Sequence, residues 1–343
     1  MSTTTKGSWR PRVAVLGGGS FGTALAQVLA KGGLTVALWV RDPLQAEQMR
    51  LTRRNQKYLP RFTLADGVHP TSDMTAALAE AELVVSVSPS HGTRAVLKQA
   101  GPLLHPQAIV LCATKGMEIA TRMLMSEVLA EVLPASHRDR TAYLSGPSFA
   151  REMMEGLPTV VTVAAHDHRI AMQVQEAFLS PYFRVYTVDD VIGVELAGAV
   201  KNVLAIAAGV SDGLRFGHNT RAALLTRGLA EMSRLGVRMG AKPSTFMGLA
   251  GVGDLVLTCT GDLSRNRQIG LKIASGMTLD EIQSTATQVA EGVNTARALH
   301  ALAQELDVEM PIVEAAYRVL FENQSPRDAV LELMGRPQKP ENV

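Results

Sequence analysis

Residues 13–22 read Val-Ala-Val-Leu-Gly-Gly-Gly-Ser-Phe-Gly and run on into Thr-Ala-Leu-Ala. An apolar strand-like run thus meets Gly17-x-Gly19-x-x-Gly22 and passes directly into a helix-forming run. Each glycine has a physical use in such a turn. Gly17 permits the tight bend, Gly19 lets a pyrophosphate come against the backbone, and Gly22 lets the helix pack close to the strand. The helix N-terminus then attracts the phosphates. A bare G-x-G-x-x-G is a common turn. Its place here, between strand and helix and before a second apolar run at Leu34–Val40, points to a dinucleotide-binding unit.

The second run ends Trp39-Val40-Arg41-Asp42-Pro43-Leu44-Gln45. An acid at this place reads the ribose of NAD, whereas an arginine accommodates the extra phosphate of NADP. Asp42 with Pro43 and Gln45 also reads as a helix start: N-cap, proline at N1, capping box. On that reading Asp42 is engaged locally and Arg41 faces the ribose. This favours NADP(H) and leaves NAD(H) open.

Further apolar runs at Leu83–Val87, Ala108–Ala113, Ala142–Leu144, Thr159–Ala164 and Phe183–Thr187 join Val13–Leu16 and Leu34–Val40 as strand candidates. Helical patterns fall between most of them, which predicts an α/β, doubly wound, mostly parallel Rossmann-like sheet. After about Asp190 strand signals stop. Val191–Val210, Thr220–Leu235, Arg265–Ser275, Glu291–Leu306 and Pro311–Phe321 read as helices. The expected division is a dinucleotide-binding domain over 1–189, an all-α domain over 190–335 and a fraying tail over 336–343. A chain of 343 residues accommodates two domains.

Lys plus Arg is 34 against 32 for Asp plus Glu, too balanced for a nucleic-acid coat. Two distant cysteines, Cys112 and Cys259, argue against a disulfide framework or a zinc site and fit a reducing compartment. The polar stretch Met1–Arg12 carries no secretory signal. Val191–Val210 is apolar enough to resemble a membrane span, but Glu195, Lys201 and Asn202 are expensive in lipid, so a buried helix is expected. A cytoplasmic protein follows from these readings.

That helix poses the main chemical question, because burying an unpaired ammonium is costly. At helical spacing Lys201 neighbours Ala197, Gly198, Leu204 and Ala205, which leaves space for a ligand beside the amine. Desolvation lowers the pKa of such an amine and suits it to general acid/base work. A structural Lys–Glu pair, or a lysine snorkelling to water, is the plain alternative; Glu195 and Asn202 share another face. Lys115 follows a strand as Ala-Thr-Lys-Gly, where residues line a ligand crevice, and Ser145-Gly-Pro-Ser-Phe-Ala150 follows the next strand. Gly248–Asp254 reads as a helix-linking loop. Ser264-Arg265-Asn266-Arg267 reads as a phosphate-binding helix start or as a capped helix with exposed arginines. His166 and His168, beside Asp167, read as a loop; the histidines show no metal-ligand spacing, and no metal site is expected.

Taken together, these motifs resemble the NAD(P)-dependent glycerol-3-phosphate dehydrogenases of the bacterial biosynthetic type. The resemblance runs from about Arg12 to Gly335. It also takes in Asn55-Gln-Lys-Tyr-Leu-Pro60, Ser88-Pro-Ser90, Thr114-Lys-Gly-Met-Glu118 and Gly193-Val-Glu-Leu-Ala-Gly-Ala-Val-Lys-Asn202. It implies interconversion of dihydroxyacetone phosphate and sn-glycerol 3-phosphate, which feeds phospholipid synthesis, by a cytoplasmic homodimer. By motif, Lys201 is the implied proton donor and acceptor. Lys115 lies at the reacting end, and Asp254 orients Lys201. Gly146, Ser148, Ser264, Arg265 and Asn266 are implied substrate contacts. Gly17, Gly19, Ser20, Phe21, Gly22, Arg41, Tyr58, Lys115, Ala150, Arg265, Val289 and Glu291 are implied cofactor contacts. Gly18, and Ser88 before Pro89, depart from the family's usual residues without touching this chemistry. The rivals are a β-hydroxy-acid dehydrogenase, which has no use for the Ser264–Arg267 piece, and a non-catalytic NADPH sensor, which has no use for the two lysines.

Overall fold

The computed structural model describes residues 9–284, 291–338, 340 and 341. The chain packs as two units. One holds Met1–Lys115 and Met123–Glu195, the other Gly116–Arg122 and Leu196–Val343.

The first unit alternates strand and helix. Its order is β1 (Val13–Leu16), α1 (Ser20–Lys31), β2 (Val36–Trp39), α2 (Pro43–Thr52), β3 (Val68–Thr71), α3 (Met74–Leu78), β4 (Leu83–Ser86) and α4 (Ser90–Ala100). Then come β5 (Ile109–Cys112), α5 (Met125–Val132), β6 (Thr141–Ser145), α6 (Ala150–Glu155), β7 (Thr159–Ala164), α7 (His168–Ala177) and β8 (Phe183–Val188). The sheet order is β3-β2-β1-β4-β5-β6-β7-β8. All neighbours pair in parallel except β6 with β7, which are antiparallel. β1, β4 and β5 are buried along their whole length, as strands covered on both faces must be. The order reverses between β1 and β4, and ligands of such sheets bind at the carboxyl ends beside that reversal.

All seven apolar runs form strands. The eighth, β3, escapes the pattern because it reads Val-His-Pro-Thr, and a proline argues against a central strand. β3 lies at the sheet edge, where a missing amide donor is tolerated. Asp42, Asp73 and Asp167 cap α2, α3 and α7, each side chain accepting from a backbone amide of the first turn. The histidine pair read as a loop therefore straddles a helix start: Asp167 is the cap and His168 the first helical residue.

The second unit is helical: α8 (Val191–Gly213, whose first turn lies in the first unit), α9 (Gly217–Arg238), α10 (Pro243–Phe246), α11 (Asp254–Thr260), α12 (Arg265–Ala274), α13 (Leu279–Ser284), α14 (Glu291–Glu305), α15 (Pro311–Phe321) and α16 (Pro326–Met334). α8 is long and apolar enough to cross a membrane, yet most of it is buried within protein. Gly248–Asp254 is not a linking loop. Leu249–Gly253 winds as a π-type turn straight into α11, and a Cβ on Gly251 would fall 2.0 Å from the Phe246 carbonyl oxygen. Near the C-terminus, Arg336 pairs with Glu309, and the Glu341 carbonyl accepts from Arg227 at 3.2 Å.

Candidate active site

In the first unit the glycine turn behaves as its spacing predicts. Gly17 has φ +138°, and its added Cβ would meet the Val87 carbonyl oxygen at 2.8 Å. A Cβ on Gly22 would lie 2.0 Å from the Gly17 carbonyl oxygen, and one on Gly18 would lie 2.7 Å from a Val40 methyl. Gly19 differs from these three: its Cβ would meet no protein atom within 4 Å. The protein's own packing therefore explains the other glycines but not Gly19, which caps α1 without a side chain. No acidic residue stands in the first turn of α1. An open backbone at an uncapped helix N-terminus fits a pyrophosphate.

The turn is braced from outside. Asn55 is fully buried and donates to the Gly18 carbonyl at 2.9 Å and to Thr23 Oγ1 at 2.8 Å. Gln45 does not close the expected capping box; its amide donates to the same Gly18 carbonyl at 3.2 Å. Asp42 does cap α2, accepting from the Leu44 amide at 3.0 Å. Arg41 stands exposed just past β2, while Ser20, Phe21, Tyr58 and Ala150 are half-buried.

Lys115 and Gly146 come together past the ends of β5 and β6. Lys115 Nζ donates to the Gly146 carbonyl at 3.0 Å and sits 5.7 Å from the centre of the Phe21 ring. Ser148 Oγ donates to the same carbonyl at 2.8 Å. Gly146 has φ +127°, and a Cβ there would press on Val161. The Gly-Pro turn thus holds a carbonyl that fixes a lysine and a serine at once.

In the second unit Lys201 is buried on α8, and it is held from another helix. Its ammonium donates to Asp254 Oδ1 at 2.8 Å and to Thr258 Oγ1 at 2.9 Å. Asp254 opens α11 and Thr258 lies one turn on, so both reach one point from one helix face. Thr258 donates its own proton to the Asp254 carbonyl at 2.6 Å, which turns its lone pairs toward the amine. The sequence reading did not single out Thr258, although its i+4 spacing from Asp254 was the available signal.

A second buried chain runs beside it. Asn266 Nδ2 donates to Asn202 Oδ1 at 2.9 Å, and its Oδ1 accepts from the Gly292 amide at 3.0 Å. Ser264 caps α12, accepting from the Arg267 amide at 3.2 Å. Arg265 is exposed. Arg267 is not: it is bound to Asp212 at 2.8 Å and to Asp262 at 2.9 Å. Glu291 opens α14, and Val289 lies outside the described residues. Glu195 is buried; its Oε1 accepts from the Ser126 amide at 3.0 Å, while Oε2 meets no hydrogen-bond donor among the described residues. Burial pushes its carboxyl up to about 8. Burial likewise pushes the free thiols of Cys112 and Cys259 up to about 12, which makes them poor nucleophiles.

Both halves of the chain match family models: residues 12–171 the NAD-dependent glycerol-3-phosphate dehydrogenase N-terminus, and residues 190–331 its C-terminus. The chain belongs to the NAD-dependent glycerol-3-phosphate dehydrogenase family. A Geobacter relative named glycerol-3-phosphate dehydrogenase [NAD(P)+] is 53% identical, covering 97% of this chain and 99% of its own. The crystal structure of glycerol-3-phosphate dehydrogenase from Coxiella burnetii superposes with a TM-score of 0.91. It is 41% identical and covers 95% and 99% of the two chains. D-mandelate dehydrogenase shares the fold alone, at a TM-score of 0.59 and 11% identity. Within the glycerol-3-phosphate dehydrogenase family, the Asn55 motif gains a physical reason: it clamps the glycine turn.

Proposed function

We propose that the chain reduces dihydroxyacetone phosphate to sn-glycerol 3-phosphate, reversibly, with NADPH favoured over NADH. The observation that carries this reading is the buried Lys201 ammonium, held at 2.8 Å by Asp254 and at 2.9 Å by Thr258. A nicotinamide cofactor, when bound, supplies the hydride. Lys201 delivers the proton to the carbonyl oxygen and takes it back in the reverse reaction. Asp254 and Thr258 orient its Nζ. Lys115 stabilises the developing oxyanion, with Gly146 and Ser148 at the substrate. The N-terminus of α12, with Ser264, Arg265 and Asn266, holds the substrate phosphate. The Gly17–Gly22 turn receives the pyrophosphate. Ser20, Phe21, Tyr58, Lys115, Ala150, Arg265, Val289 and Glu291 complete the cofactor contacts. The engaged Asp42 leaves Arg41 for the ribose phosphate, which supports the preference for NADP(H).

The same resemblance supports a cytoplasmic homodimer that supplies phospholipid synthesis and uses no nucleic acid or metal. Loss of NADPH absorbance on adding dihydroxyacetone phosphate to the purified chain tests the reaction. Turnover with dihydroxyacetone phosphate but not with unphosphorylated dihydroxyacetone is the expected outcome. Nucleotide binding without turnover would overturn it. Sedimentation velocity checks the dimer.

A further inference from the structure

The second unit contains a cavity of about 260 Å³ between α8, α9, α15 and α16. None of its lining residues is among those assigned above to substrate or cofactor. Its walls are apolar: Val210, Leu224, Ile312, Val319, Val330 and Leu333 all line it. An apolar space of this kind gives water too few partners to hold it well. Four helices bound it, and the space is half open to the outside, with Ala223 exposed at its edge.

Its charged groups carry an excess of one positive charge. Arg227, Arg234 and Arg336 line it against Glu231 and Glu309. The two carboxylates are occupied. Glu231 accepts from the Ile312 amide at 2.8 Å and the Val313 amide at 3.3 Å, and burial pushes it up to about 7. Glu309 pairs with Arg336. Arg227 and Arg234 donate to the backbone carbonyls of Glu341 and Glu309; Arg234 also lies near enough to Glu231 to favour its charged form, whereas Arg227 is paired with no carboxylate among the described residues. Three arginines therefore face two carboxylates at an apolar cavity, which leaves one positive charge in excess.

We propose that this cavity binds an amphiphilic anion, with a single alkyl chain among the helices and a carboxylate or phosphate head on Arg227 and Arg234. The chain is removed from water by the apolar walls, and the head gains charge-assisted hydrogen bonds from the guanidinium groups. Neither half alone suits the site. A headless chain leaves the arginines unanswered, and a small anion leaves the cavity empty.

Calorimetric titration of the full chain with decanoate, decyl phosphate and decanol, each below its micelle concentration, tests this. Decanoate and decyl phosphate should bind at least about tenfold more tightly than decanol, and their ranking tells a carboxylate ligand from a phosphorylated one. Ala223 is exposed and lines the cavity. Ala223→Trp should weaken decanoate at least about tenfold without changing turnover of dihydroxyacetone phosphate. Arg227→Gln should weaken decanoate about fivefold and leave decanol unchanged. Equal binding of decanol and decanoate, or decanoate binding indifferent to both substitutions, would overturn the proposal. So would absence of decanoate binding together with a dimer that Ala223→Trp splits, since the cavity would then seat a second copy.

Discussion

Lys201 Nζ stands 2.8 Å from Asp254 Oδ1, and the two side chains are only 7% and 2% exposed. A pair this deeply buried has given up its hydration and is held by geometry. Removing one partner leaves an uncompensated charge, which typically costs about 3–5 kcal/mol. Such a pair is weak evidence of stabilisation but strong evidence that the amine must occupy one place.

Lys201→Met should therefore lower kcat by at least about 100-fold and leave NADPH affinity within about twofold. Asp254→Asn, which keeps the volume and removes the charge, should also lower kcat without changing the Kd for NADPH. Steady-state kinetics and fluorescence titration of NADPH check both. Full activity in Lys201→Met would sink the proton-transfer role.

The glycine turn separates folding from binding at two neighbouring positions. Gly19 has an extended backbone (φ −78°, ψ −177°) and space for a Cβ, so Gly19→Ala should unfold at the wild-type temperature. Its methyl enters the space proposed for the pyrophosphate, so NADPH should bind at least about tenfold more weakly. Gly22→Ala drives a methyl onto the Gly17 carbonyl oxygen and should lower the melting temperature by several degrees. Thermal scans with and without NADPH distinguish the two.

Arg41→Ala should raise the KM for NADPH by about tenfold, the loss expected of one charge-assisted contact to a phosphate. The KM for NADH should change little. Equal effects on both cofactors would remove Arg41 from the ribose phosphate.

Glu195 gives a pH signature. Its folded carboxyl titrates near 8 because of burial, well above the ordinary 4.5. The folded state thus binds the proton more tightly than the unfolded chain does. Its contribution to stability is fully present below about 4.5 and is lost as pH rises through 8. Glu195→Gln should flatten the fall in stability between pH 6 and 9 by a few kcal/mol, measured by urea unfolding across that range. An unchanged slope would mean that Glu195 is charged in the folded protein.

Elements carried by a local pattern were legible in the sequence. The glycine turn, the doubly covered strands, the Asp42 cap and the helix Pro311–Phe321 all declare themselves within a few residues. What escaped depends on distant parts of the chain. The partners of Lys201 lie 53 and 57 residues away: its local neighbours suggested empty space, the family resemblance alone pointed to Asp254, and Thr258 was missed. Gln45 fits a capping box by spacing, but the Gly18 carbonyl on another loop takes its amide. The π-type turn before Asp254 looks like a flexible glycine run until the Phe246 carbonyl is seen to leave Gly251 no room. The antiparallel setting of β7 leaves no local mark either, since a buried Val-rich strand reads the same in both directions.

The contact between Gly18 and Val40 couples two positions in different segments of the chain. A Cβ at position 18 would collide with the Val40 methyls, and no ligand need be invoked to forbid it. The size of the residue at position 18 is therefore limited by the residue at position 40. Alanine at position 18 therefore requires the Val40 side chain to move or to be replaced by a smaller one.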